Sequence, residues 1–201
     1  MEFEKEITVE INCSFEDLIV ILENNYFKLQ EEYEMEDLYF INKNDKTEED
    51  CLQLLNKCVL LRHIIEKDKD TKMLTYKYKE YNQKQEIIKQ GKIKCGIDNL
   101  ENAKELLEKL NFEPIIHIYN KSFVYANDTD ELVIQCVNDK HIYIEIEEKC
   151  YYLSKTYESI KDMKRVIKKY EIPIKDKNYF VKKAEIELKE SHTTKKLIQG
   201  A

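Results

Sequence analysis

The sequence predicts an α+β fold: about eight strands in an antiparallel sheet or barrel, with helices packed outside. Three observations predict it. Eight segments alternate apolar and polar residues and are rich in β-branched and aromatic side chains. Four other segments open with a capping signature followed by apolar residues at helical spacing. The links between strands are short and polar, as hairpin turns are.

In chain order, the first strand covers about 2–12, where Ile7, Val9 and Ile11 alternate with Glu4, Glu6, Thr8 and Glu10. Ser14-x-x-Asp17 then caps a helix carrying Leu18, Ile21 and Leu22, and a long strand follows over 28–42. Thr47-x-x-Asp50 opens a helix with Leu52 and Leu55, followed by strands over 58–66, 72–80 and 85–95. Asp98-x-x-Glu101 opens the next helix, with Ala103, Leu106, Leu107 and Leu110; strands at 113–125, 131–138 and 141–148 come after it. Ser159-x-x-Asp162 opens a last helix, with Met163, Val166 and Ile167, that stops before Pro173. Residues 1–190 read as one domain and 191–201 as a flexible tail. A faint repeat links the helix end and strand starting at Leu22 with those starting at Leu107.

Composition removes several function classes. The three glycines, Gly91, Gly96 and Gly200, leave no P-loop, dinucleotide fingerprint or nucleophile elbow. Phosphate, if bound, must be held by side chains. The six cysteines contain no Cys-x-x-Cys pair, which argues against a zinc knuckle and for free thiols. A net charge of −7 argues against double-stranded nucleic acid as a partner. No apolar run suits a membrane span and no signal peptide is readable in MEFEKEITVE, so a cytoplasmic protein is expected. The four histidines are far apart and without metal spacing, and most tyrosines read as packing residues.

The two faces of the strands carry the functional signal. Ile142, Ile144 and Ile146 oppose Tyr143, Glu145 and Glu147; Leu60, Arg62 and Ile64 share a face, as do Thr75, Lys77 and Lys79, and Lys92 and Lys94 repeat the pattern. One reading is a half-solvated sheet with its charges outside. The other places helices over the apolar faces and charges inside, where they must be paired or hold ions.

The order of these motifs resembles the CYTH domain, or triphosphate tunnel metalloenzyme, family over most of residues 2–182. The motifs are the Glu4-x-Glu6 strand, LLRHI around Arg62, LTYKYK around Lys77, a capped helix from Asp98, IEIEE at Glu145 and Glu147, and IPIKDKNYF. The resemblance implies an eight-stranded antiparallel β-barrel tunnel with flanking helices, an acidic metal patch and a basic lining. It implies Mg²⁺ or Mn²⁺ held by Glu4, Glu6, Glu145 and Glu147, and phosphate gripped by Arg62 and Lys77; Lys79, Lys92 and Lys94 join the lining by parity. Glu6, Glu10 and Glu147 are the catalytic candidates, with Glu10 orienting an attacking water. Four positions depart from the family pattern: Thr8 stands where a lysine is expected, Asn120 and Ser122 replace a basic pair beside Lys121, and Gln135 replaces an acid.

The activity expected is metal-dependent hydrolysis of an inorganic, thiamine or nucleoside triphosphate. A class IV-type adenylate cyclase and a non-catalytic module for a phosphorylated ligand or partner remain alternatives, with room for a homodimer.

Overall fold

The structure, a computed structural model, describes residues 5–45, 51–81 and 87–199, with side chains for all of these but 51–52, 77–81, 87–90 and 192–199. The strands are β1 (Glu6–Glu10), β2 (Lys28–Asn42), β3 (Val59–Glu66), β4 (Lys69–Tyr81), β5 (Ile87–Gly96), β6 (Phe112–Ala126), β7 (Glu131–Val137) and β8 (His141–Glu147). The helices are α1 (Phe15–Asn24), α2 (Cys51–Asn56), α3 (Leu100–Lys109), α4 (Ile160–Lys169) and α5 (Lys183–Gln199). The eight strands hydrogen-bond in the order β1-β8-β7-β6-β2-β3-β4-β5. Among the described residues nothing pairs β1 with β5, so hydrogen bonding does not close the sheet into the barrel that the resemblance implied. The free edge of β1 is occupied instead. Thr8 donates its N–H to the Tyr179 carbonyl and accepts from Val181, and the Glu10 carbonyl accepts from Lys175. A covered edge cannot template further pairing.

The chain divides into two compact units interleaved in sequence. The first comprises Glu4–Glu34 and Asn120–Val181; the second comprises Met1–Phe3, Met35–Tyr119 and Lys182–Ala201. β2 and β6 each contribute a part to both.

In the first unit β1 pairs antiparallel with β8, β8 with β7 and β7 with β6. Asn138 and Asp139 at φ 50° and 55° turn β7 into β8, a pair of left-handed residues suited to strand twist. Ser14 caps α1 by accepting the Asp17 N–H at 3.1 Å, and Ser159 caps α4 by accepting that of Asp162 at 3.3 Å. Each such cap is worth about 1 kcal/mol. Leu18 and Leu22 of α1 and Met163, Val166 and Ile167 of α4 are buried against Ile7, Val9, Leu132, Ile134, Ile144 and Ile146. Full burial of each such side chain contributes about 1.5–3 kcal/mol.

This unit is also pinned by Asp130, whose carboxylate accepts from Lys155 at 2.6 Å, Lys169 at 2.9 Å, Tyr157 at 3.1 Å and Tyr170 at 2.7 Å. Burial alone would raise its pKa. The two ammonium groups and Tyr170 outweigh burial and hold the carboxyl far below the usual carboxylate range.

In the second unit β3 pairs antiparallel with β4 and β4 with β5. Phe40, Leu61, Ala103 and Leu107 form its core, with Leu38, Val59 and Leu74 against them, so α3 covers one face of these strands. The cap of α3 is Asn99, one residue later than expected: its side chain accepts the Asn102 N–H at 2.9 Å. The helix α5 runs to Gln199, into the stretch from 191 onward that was expected as a tail. Earlier in the helix Leu188 is fully buried, and Lys189 pairs with Glu185 one turn away at 2.6 Å.

Candidate functional site

In the first unit α1 and α4 cover the apolar face of the strands and in the second α3 covers one face, while the opposite faces carry the polar residues named below. In the first unit the register places Glu6 opposite Glu147, Thr8 opposite Glu145 and Glu10 opposite Tyr143. Gln135 lies opposite Tyr143 on the other side, and Ser122 opposite Gln135. Thr8, Asn120, Ser122, Gln135 and Tyr143 are all buried, so this face is no solvated exterior. At these positions of the first unit the half-solvated reading does not hold.

Glu145 is held by neutral donors on both carboxylate oxygens. Its Oε2 accepts from the Gln135 amide at 2.9 Å and its Oε1 from the Thr8 hydroxyl at 3.5 Å. Ser122 donates to Asn120 Oδ1 at 3.3 Å. Tyr33 of β2 belongs to the same surroundings: burial, then the nearby carboxylates of Glu145, Glu147 and Glu31, push its phenol up to about 12 against a hydrogen bond with Ser122 that lowers it. Glu31 accepts the Tyr152 hydroxyl at 2.7 Å. Glu10 is engaged elsewhere, its Oε1 lying 2.8 Å from Lys175 Nζ and 3.0 Å from His141 Nδ1.

In the second unit Leu60 is in register with Thr75, and Thr75 with Lys94; Arg62 pairs with Met73, and Lys77 with Lys92. All of these lie on the face that α3 leaves uncovered. Arg62 forms a fork with Asp37 of β2, Nε and Nη2 each 2.6 Å from a carboxylate oxygen. Lys92 and Lys94 are exposed. At the hairpin end, Asp70 accepts from Lys72 and from His63 at 2.6 Å each, and these partners, Lys72 first, hold its carboxyl below its ordinary value.

The structure therefore gathers Glu6, Glu145 and Glu147 on one face of the first unit, and Arg62, Lys92 and Lys94 on one face of the second. Glu4 lies outside the described residues, as do the side chains of Lys77 and Lys79. Sequence reasoning missed Glu31, Tyr33 and Asp37, which share one parity along β2. The signal was hidden because residues 28–37 are polar at almost every position and show no contrast between faces.

The residues can be tested against the divalent cation that the resemblance implies. Their donor chemistry fits, since carboxylate oxygens on paired strands suit a hard ion. A complete protein cage is not present: among the described residues no three His, Cys, Asp or Glu side chains group as a metal site. Mg²⁺ does not require one, because it is usually held by one or two carboxylates together with substrate phosphates and water.

No protein-family model matches the chain, and no curated protein does. Solved structures do. The PH1819 protein from Pyrococcus horikoshii OT3 is 16% identical, with 94% of this chain and 99% of that chain covered at a TM-score of 0.68. A candidate adenylate cyclase from Vibrio parahaemolyticus is 11% identical, covering 92% of this chain and 98% of that one at a TM-score of 0.57. A candidate adenylyl cyclase from Hippeastrum with a dominant triphosphatase activity is 14% identical, covering 88% and 90% at 0.56. At these identities the likeness establishes the fold alone, an eight-stranded antiparallel sheet with flanking helices. Among the described residues no helix is long and apolar enough to cross a membrane.

Proposed function

We propose that this chain is a CYTH-type domain that binds a small molecule bearing a triphosphate and hydrolyses it with the help of Mg²⁺ or Mn²⁺. The register of β1 on β8 carries the reading. Glu6 and Glu147 stand directly opposite on the face without helices. Like charges so placed are destabilising, and a hard cation beside them offsets the cost.

Glu6 and Glu147 would hold the ion, with Glu145 next to them in an orientation fixed by Gln135 and Thr8. When bound, the ion would neutralise charge on phosphate oxygens. Arg62, Lys92 and Lys94 are the phosphate-binding groups, joined by Lys77 and Lys79 at their strand positions. The fork with Asp37 fixes the plane of the Arg62 guanidinium, and a fixed donor loses little freedom when it binds. Glu10 takes no part in the chemistry, because Lys175 and His141 already occupy its carboxylate.

The test is phosphate release by the full chain from tripolyphosphate, ATP and thiamine triphosphate, with and without the divalent cation, with cyclic AMP followed in parallel. The expected result is cation-dependent release that disappears in Glu147→Gln. Undiminished turnover in that variant would remove the carboxylate pair from the mechanism.

A binding-only module is the second reading, and one observation favours it. The charges nearest the proposed chemistry are partly spent, Glu145 on two neutral donors and Arg62 on Asp37. Tripolyphosphate binding without release by a folded protein would select it.

A further inference from the structure

One group on the basic face of the second unit is unexplained by its surroundings. Thr75 of β4 is 2% exposed, and its Oγ1 is buried with no hydrogen-bond partner among the described residues. Valine has the same shape without the hydroxyl, so packing alone gives no reason for threonine at this position. A sealed, unbonded hydroxyl carries a desolvation cost that valine would avoid.

The register shows what lies beside it. Thr75 is directly opposite Lys94 on β5, and directly opposite Leu60 on β3, two residues before Arg62. Lys94 is exposed. The face thus passes from a sealed hydroxyl to an open ammonium within one strand spacing, about 4.8 Å. An ammonium, a guanidinium and a hydroxyl on neighbouring strands offer phosphate oxygens two charged donors and one neutral one.

We infer that Thr75 is a phosphate-contacting residue whose hydroxyl donates to an oxygen of the phosphoryl group drawn in by Lys94. The inference rests on the triphosphate reading above and adds to it a neutral donor that neither charge pattern nor motif order marks. Ligand entry beside Lys94 would give the Thr75 hydroxyl the acceptor it lacks in the free chain.

Calorimetric binding of inorganic tripolyphosphate to the full chain, with Mg²⁺ present, tests it in wild type, Thr75→Val, Thr75→Ser and Lys94→Gln. Thr75→Val is expected to bind about tenfold more weakly while melting no lower than wild type. Thr75→Ser, which keeps the hydroxyl, should bind like wild type, and Lys94→Gln, an exposed change that cannot disturb the core, should weaken binding at unchanged stability. Wild-type affinity in Thr75→Val would overturn the inference and leave the triphosphate reading standing. A lowered melting temperature in that variant would also overturn it, by showing that the hydroxyl has a structural partner. A wild-type chain that binds no tripolyphosphate would overturn both.

Discussion

The two units follow one local plan and differ in the sign of the charge they display. Each contains a ten-residue helix, α1 or α3, that ends in a left-handed residue, Tyr26 at φ 62° or Asn111 at φ 67°, and leads into a fifteen-residue strand. Each packs at least one of these helices, α1 or α3, on the apolar strand face. On the other face the first unit sets Glu6, Glu31, Glu145 and Glu147 among hydroxyls and amides, whereas the second sets Arg62, Lys92 and Lys94 around Thr75. Strand alternation decides which residues share a face, but it does not decide their charge. Like charges on adjacent strands cost stability unless an opposite charge stands among them, as Asp37 does beside Arg62.

Removing one buried, ion-paired carboxylate from each unit tests how far the difference between the units extends to stability. Asp130→Ala in the first unit should have the largest effect, about 3–5 kcal/mol by chemical denaturation, because two lysines and two tyrosines lose their shared acceptor. The same carboxylate sets a pH dependence. Its folded pKa is depressed, so its contribution is complete above about pH 4 and is lost as pH falls through the depressed value; acid unfolding of wild type should steepen below that pH and flatten in Asp130→Asn.

Asp37→Ala in the second unit comes next, at about 2–3 kcal/mol, since the Arg62 head it abandons is only partly buried. Within the acidic face, Glu147→Gln should lower the Tyr33 phenol from about 12, read by NMR titration; an unmoved phenol would mean that the carboxylates do not share its surroundings. The smallest effects are at the helix ends. Tyr26→Gly should stabilise by about 1 kcal/mol, because an exposed tyrosine has little packing to lose, while Asn111→Gly should gain only a few tenths, since asparagine tolerates the left-handed region.

Much of the fold was legible, and for identifiable reasons. β2 occupies 28–42 as expected, and β3, β7 and β8 fall within one residue of expectation because polar turns bound them. The repeat from Leu22 and Leu107 reflects the shared helix-to-strand plan. Less legible were α5, whose sequence around the buried Leu188 is largely polar, and the division into units, which draws on three separate stretches for one of them. Of the candidate site, parity put Glu6 on the polar face of its strand and Glu145 and Glu147 on that of theirs, while their register came only with the structure. So did the partners that define the other groups: Asp37 is 25 residues from Arg62, and Lys175 is 165 from Glu10. Sequence periodicity reports faces, whereas these pairings depend on register between strands or on a loop crossing β1.

Cys95 gives the basic face a practical use. It is the exposed cysteine among those described, while burial pushes the thiols of Cys58 and Cys150 up to about 12 and about 11, out of easy reach of alkylating reagents. It is in register with Leu74 and so points away from Lys94, its neighbour in β5. A maleimide dye attached there would report on β5 without blocking the side chains proposed to meet phosphate, turning a residue with no part in the chemistry into an optical gauge of ligand arrival.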